Sequence, residues 1–169
     1  HATRMLPPRR PILHLAFSKH LQADPSLEPD MLAIAQMLLD HGADVNDSFM
    51  YEGSQDPLSA LYGALGHAGN MPLARWLLQN GANPNDNESL YHATELGHAD
   101  GVALLLEHGA RPDGTNAMLR AMDFNAHEMV QMMVGSGASV TLPNSVAPNA
   151  TPLLHHAARR MCDARMVQI

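Results

Sequence analysis

The sequence predicts an all-α chain, a solenoid of about five stacked helix-turn-helix units with the last incomplete. Three observations predict it. One word recurs: a helical apolar run, a short polar link, Gly-Ala, then a polar tail. It stands at Met37 to Asn46, Trp76 to Asn85, Leu104 to Asp113 and, more weakly, Met132 to Val140. The apolar residues before each Gly-Ala fall at i, i+3, i+4, which makes one core-facing stripe on a helix. Hydrophobic residues are 46% of the 169 but aromatics only 4%, with twelve methionines. That mix suits helices packed through small and flexible side chains, not a β-sandwich.

Taken in order, unit one opens at Pro11-Ile12-Leu13-His14-Leu15-Ala16 and closes at Gly42. Between its two helices lies an insertion, Phe17 to Asp30, whose Pro25, Glu28, Pro29 and Asp30 read as an exposed loop. Unit two runs as a helix from Pro57 to Gly66, a break at Asn70, and a second helix started by Pro72; both prolines suit a first turn, where the missing N–H is not needed. Unit three has Ser89 to Leu96, a break at Gly97, and Val102 with Leu104-Leu105-Leu106. Unit four has Asn116 to Phe124, a break at Asn125, and Met129, Met132 and Met133 at helical spacing as core. Unit five has Thr151 as N-cap, Pro152, and a helix through Leu153-Leu154-His155-His156-Ala157-Ala158. It stops at Met166-Val167-Gln168-Ile169, mid-pattern in a second helix. A solenoid end ordinarily carries a polar cap, so either further chain or self-association is expected there. Gly42, Gly81, Gly109 and Gly137 each stand where a helix must end in a left-handed residue.

The glycines of the four words are 39, 28 and 28 residues apart. The words Leu-Leu-x-x-Gly-Ala-x-x-Asn, Thr151-Pro152-Leu153 and Leu96-Gly97-His98 resemble the ankyrin repeat, a unit of about 33 residues with a Thr-Pro-Leu-His start. Leu90-Tyr91-His92-Ala93 and Met118-Leu119-Arg120-Ala121 hold the same position without the proline. The resemblance runs from 11 to 169. It implies a tail at 1–10 and one repeat domain at 11–169, with units at about 11–46, 57–85, 88–113, 116–140 and 151–169. It also implies hairpin fingers between units. Nine residues separate Gly81 from Leu90 and Gly109 from Met118, against sixteen at either end. Short or absent hairpins are therefore expected in the middle, where Asn85-Asp86-Asn87 and Gly114 supply turn chemistry. The degenerate, Met- and Pro-rich units suggest a bacterial source.

Ten Lys and Arg against seventeen Asp and Glu leave a formal charge of −7. An acidic chain repels phosphate backbones, so nucleic acid is not expected as a partner. No apolar run reaches the roughly 18 residues of a membrane span, so insertion is not expected either. Cys162 is the single cysteine, which leaves no intramolecular disulfide and favours a reducing, cytoplasmic setting. The chain opens on His1 rather than Met, so a secreted or periplasmic location stays open.

No phosphate loop, zinc spacing or nucleophile elbow occurs, so no catalytic residue, cofactor or metal is expected. Eleven histidines invite a metal, but His155, His156 and nearby Asp163 lack compact ligand spacing. The repeat accounts for others: His41 and His108 suit helix ends, and His14 and His155 match the family histidine that bonds between neighbouring loops. Cys162, at an inter-helix turn, reads as a filler; Arg159, Arg160 and Arg165 would lower its pKa were it exposed. Ser54, Ser59 and Ser145 read as caps or turns.

The resemblance implies a protein-binding scaffold, or the recognition module of a larger enzyme or secreted effector. Its contact positions, on a concave face, are the two residues before each inter-helix glycine. Matched here they are Glu95 and Leu96, Asp123 and Phe124, His67 and Ala68 before Gly69, and Arg160 and Met161 before Cys162. Phe124 is the foremost candidate anchor, weighed against a reading in which it turns inward. Tyr91, uncovered by a lost finger, is the second. Tyr51 and Glu52 in the first long loop form a weaker set. The −7 charge suggests a protein or peptide partner of basic or mixed charge.

Overall fold

Every described element is helical except one short ribbon. The computed structural model describes residues 10–53, 56–141 and 152–169, and its chain divides into two compact units, His1–Ser89 and Leu90–Ile169.

In the first unit, α1 (Pro11–Ala16) is started by its proline and buries Ile12, Leu13 and Ala16. The segment predicted as an exposed loop is instead largely helical. It holds α2 (His20–Ala23), a 3-10 turn (Pro25–Leu27) and the start of α3 (Glu28–Asp40). Asp24 caps the 3-10 turn by accepting from Ser26 N, Pro29 sits in the first turn of α3, and Glu28 and Asp30 suit that helix's positive end. Residues that read as loop formers are thus helix starters. Phe17, assigned to the same loop, is buried: its ring meets Phe49 and Tyr62 edge-on at 5.6 and 5.8 Å.

The Met37-Leu38-Leu39 run does not face the core as a block. α3 buries Met31 and Ala35, and leaves Ile34 and Met37 exposed. α3 packs on α1, on the 3-10 turn and on α5 (Met71–Gln79).

The first long inter-repeat loop is a finger. β1 (Ser48–Phe49) pairs antiparallel with β2 (Leu58–Ser59), Ser48 opposite Ser59. The helix expected from Pro57 therefore begins later. Ser59 ends the strand and caps α4 (Ala60–Tyr62), accepting from Tyr62 N at 2.9 Å. A π-helical turn (Gly63–His67) follows. Gly63 is required there, because a Cβ would lie 2.4 Å from the Phe17 ring. Asn70 caps α5 through its Oδ1, which accepts from Leu73 N at 3.1 Å, and Pro72 occupies the first turn as expected. Leu73, Leu77 and Leu78 are buried. Asp86 closes the Asn-Asp-Asn turn, accepting from Ser89 N at 2.8 Å and Ser89 Oγ at 2.6 Å.

In the second unit, helices alternate between two roles. The first helix of each pair is α6 (Ser89–Glu95), α8 (Ala117–Asp123) and α10 (Leu153–Arg160); the second is α7 (Ala99–Glu107), α9 (His127–Gly135) and α11 (Ala164–Gln168). α7 packs on α9, α8 on α9 and α10, and α10 on α11. Val102, Leu104, Leu105, Met118, Ala121 and Met133 are almost wholly buried, as the repeating stripe predicted. At about 25 cal/mol per Å² of buried apolar area, each such Leu or Met stabilises the fold by roughly 2 kcal/mol. The middle inter-repeat segments are turns, with Gly114 at φ 81 and no described strand. The last long segment, with Thr151 and Ser145, lies outside the described residues, as does Ser54. Pro152 directly precedes α10 as its N-cap residue. The four Gly-Ala glycines all have φ between 85 and 98.

Candidate functional site

α6, α8 and α10 each end in the same way. A residue turns left-handed, and the next amide reaches back to a carbonyl five residues earlier. His98 N donates to Ala93 O, Ala126 N to Ala121 O and Cys162 N to Ala157 O, each at 2.9 Å. The left-handed residues are Gly97 (φ 71), Asn125 (φ 50) and Met161 (φ 53). Glycine takes that conformation freely and asparagine tolerates it. Methionine does not, and nothing in the sequence marks Met161 as the turn residue. The turn expected at Cys162 therefore falls one residue earlier, at Met161. Arg160, not Met161, is the counterpart of Leu96 and Phe124, and Arg159 that of Glu95 and Asp123.

Exposed apolar side chains stand at each of these stops, before the left-handed residue in α6 and α8 and on it in α10. Leu96 is 48%, Phe124 56% and Met161 87% exposed. Phe124 points outward, so the inward alternative is overturned. Its ring is held by the Arg120 guanidinium at 4.9 Å, which also lies 6.0 Å from the Tyr91 ring. Tyr91 is half-buried beside His92 and is not bare.

Beneath these side chains runs a chain of charges. Arg120 donates to Glu95 Oε1 at 2.5 Å and, more loosely, to Asp123 Oδ2 at 3.5 Å. Glu95 Oε2 pairs with His92 Nδ1 at 2.9 Å. Asp123 Oδ1 takes both Arg160 Nε and His156 Nε2, each at 2.7 Å. His156 is buried and its Nδ1 faces Arg159 Nη2 at 3.3 Å. Burial alone would raise the Asp123 pKa, but the bonds from His156 and Arg160 outweigh it and hold the carboxyl below its ordinary value. Arg120 Nε is buried with no partner among the described residues. A second stitch lies beside the first: His127 Nε2 meets Asp163 Oδ1 at 2.9 Å, and Asp163 N donates to Asn125 Oδ1 at 3.0 Å.

The structure thus brings together Tyr91, Glu95, Leu96, Asp123, Phe124, Arg160 and Met161. His67 does not join them. It lies in the first unit with its ring 5.2 Å from that of Phe17, and burial and nearby Lys19 push its pKa down. It packs rather than presents. Asp123 is half-buried and internally bonded, which makes it a support more than a contact. Three residues were missed: Arg120, Arg159 and His156. The i, i+3 spacing of Arg120 to Asp123 and of His156 to Arg159 was a usable signal. The family histidine was placed at His155, which is exposed; the extra residue in this unit puts His156 in the buried position. Tyr51 and Glu52 are exposed between the finger strands.

Cys162 is half-buried, with Sγ 3.3 Å from Met122 O. Burial, then Asp123 and Asp163, push its pKa up, against the lowering that the arginines would bring to an exposed thiol. It fills space. Among the described residues no three His, Cys, Asp or Glu side chains gather as a metal site, and no described helix is long and apolar enough to cross a membrane.

Helix pairs ended by left-handed residues and separated by Gly-Ala stops define a helical-repeat protein. The chain belongs to the ankyrin-repeat family. The family model described as ankyrin repeats (3 copies) matches residues 26–116 and 61–144. The chain is 37% identical over 110 residues to a chicken (Gallus gallus) protein named Arf-GAP with coiled-coil, ANK repeat and PH domain-containing protein 2, a stretch that is 62% of this chain and 12% of the relative. To the human (Homo sapiens) protein of that name it is 38% identical over 97 residues, 52% of this chain and 12% of the relative. It thus matches only a small part of each relative. The ankyrin repeat domain of human ASB11 superposes with a TM-score of 0.65 at 21% identity, covering 95% of this chain and 69% of that one; that likeness speaks for the fold alone. Ankyrin repeats generally mediate protein–protein interaction and are typically non-catalytic.

Proposed function

We propose that this chain is a non-catalytic binding module that takes a protein or peptide segment across the ends of α6, α8 and α10. The observation that carries the reading is that exposed apolar side chains recur at the closing turns of three successive first helices: Leu96 and Phe124 just before the left-handed residue, and Met161 as that residue itself. Phe124 is pre-positioned by its stack on Arg120, so little side-chain freedom is lost on binding. An aromatic anchor with an arginine beside it is the composition of an interface hot spot. The lattice beneath it is formed before a partner arrives.

The test is selection of a random linear peptide library on the immobilised chain, followed by titration of enriched peptides against Phe124→Ala and Met161→Ala. The expected result is weakening by about ten-fold or more for Phe124→Ala, the size of a hot-spot truncation. Enriched peptides that bind both variants as tightly as the parent chain would refute the site.

A second reading has the module serve as the recognition part of a larger enzyme. It is favoured by the names of the relatives, which place ANK repeats beside Arf-GAP and PH domains in one protein. A cytoplasmic setting belongs to both readings, on the strength of the single, half-buried cysteine.

A further inference from the structure

The chain as a whole is acidic, yet the face described above is not. On the first helices of the second unit, two carboxylates, Glu95 and Asp123, stand among three guanidiniums, Arg120, Arg159 and Arg160. Both carboxylates are already engaged. Glu95 serves Arg120 and His92; Asp123 serves Arg120, Arg160 and buried His156. A carboxylate with its oxygens so occupied offers little to a basic partner.

The donors are in the opposite condition. Arg160 uses its Nε on Asp123, and its side chain is 46% exposed. A guanidinium carries five N–H donors in a planar fork, so the Nη end is open to a ligand while the Nε bond fixes its plane. Arg159, also exposed, commits one contact to His156 Nδ1 at 3.3 Å. Met161 adjoins Arg160 in the chain, and Asp123 ties Arg160 to the helix that ends at Phe124. Open donors and bare apolar surface therefore lie side by side.

Resting on the binding reading above, we infer that the partner segment is acidic and apolar together. It sets one or more Asp or Glu carboxylates on the open Nη end of Arg160 and on the donors of Arg159 not turned to His156, with an adjacent apolar side chain on Phe124 and Met161. The net charge of −7 misleads about the partner, since it is summed over residues that this face does not carry. A carboxylate held end-on by a guanidinium already braced at Nε meets a donor in a fixed orientation, the geometry that makes arginine–carboxylate recognition specific.

The same peptide selection tests this, with sequence composition as the readout. Enriched peptides are titrated by fluorescence anisotropy against the parent chain, Arg160→Gln, Arg159→Gln and Phe124→Ala, at low and high salt. Arg75→Gln, an exposed arginine of the first unit, makes the same charge change elsewhere. The expected result is enrichment of Asp or Glu beside an apolar residue, with affinity falling about ten-fold for Arg160→Gln, less for Arg159→Gln and not for Arg75→Gln. Circular dichroism checks that the variants stay folded; were Arg160→Gln to lose helix, Arg159→Gln would carry the test. Peptides that need Phe124 but are basic or uncharged, or that ignore both arginines, would overturn this inference and leave the binding reading standing. An equal loss with Arg75→Gln would also overturn it, since the effect would then be one of total charge. Peptides indifferent to Phe124 would remove both.

Discussion

Replacing Asp123 with alanine tests the charge lattice at its centre. Two short bonds end on Asp123 Oδ1, from His156 and Arg160, and Arg120 adds a loose one. The Arg160 share is small, because that side chain is nearly half exposed and surface ion pairs contribute about 0–1 kcal/mol. The His156 share is larger. Its ring is buried, and without Asp123 the Nε2–H keeps no acceptor, which costs about 1–3 kcal/mol. Together the expected loss is about 3 kcal/mol, read by urea unfolding followed by circular dichroism. The pH dependence has a definite sign. The folded pKa of Asp123 lies below its unfolded value, so its contribution is complete above the ordinary carboxylate range and is lost as pH falls through the folded pKa. The gap between parent and variant should be widest near pH 7 and narrow as pH falls below the ordinary carboxylate range. Adding His156→Leu removes the orphaned N–H, so the double variant should cost less than the two singles summed, by about 1 kcal/mol. A loss under about 0.5 kcal/mol, or a gap as wide in acid as at neutrality, would refute the claim that Asp123 works as a buried acceptor.

Three further outcomes are expected. Gly63→Ala drives a Cβ to 2.4–2.5 Å from ring carbons of Phe17, which is itself boxed by Phe49 and Tyr62; a loss of about 2–3 kcal/mol should appear in a thermal melt, and an unchanged melt would show that the ring can step aside. Met161→Gly relieves a left-handed methionine whose side chain is 87% exposed, so it should stabilise by up to about 1 kcal/mol; destabilisation would mean that the side chain packs. Cys162, with its thiol pKa raised by burial and by Asp123 and Asp163, should alkylate slowly at neutral pH and about ten-fold faster in urea, and equal rates would place it on the surface.

The fold was legible because stacking repeats imposes one demand many times over. Each helix pair must stop, reverse and bury the same stripe, so Gly81, Leu77 and Leu78 reappear as Gly109, Leu105 and Leu106, with Leu106 only half-buried. Where the chain departs from the repeat, the signal failed in a consistent way. The prolines and acids of residues 17–30 suggest a loop, but those same residues start helices, and the outcome turns on whether an apolar face follows. Met31 and Ala35 supply one. Ser59 misled in the opposite direction: a single residue both ends a strand and caps a helix, and the helical pattern alone shows only the second role.

The face was only partly legible, and the reason bears on how it works. Exposed residues such as Leu96 and Phe124 could be placed by counting back from the turn. For Arg120 and His156 the i, i+3 spacing marks only a local partner, while their role is set by neighbours 25 and 33 residues away in sequence. Those hidden residues tie the ends of α6, α8 and α10 to one another, so the geometry of the exposed row depends on bonds beneath it. Recognition and stability are therefore coupled at Asp123 but separable at Phe124. A Phe124→Ala variant should melt with the parent while losing its ligand; Asp123→Ala should lose stability first and affinity with it. Were Phe124→Ala to unfold the unit, the ring would be part of the support, and the exposed row would no longer be a surface kept free for a partner.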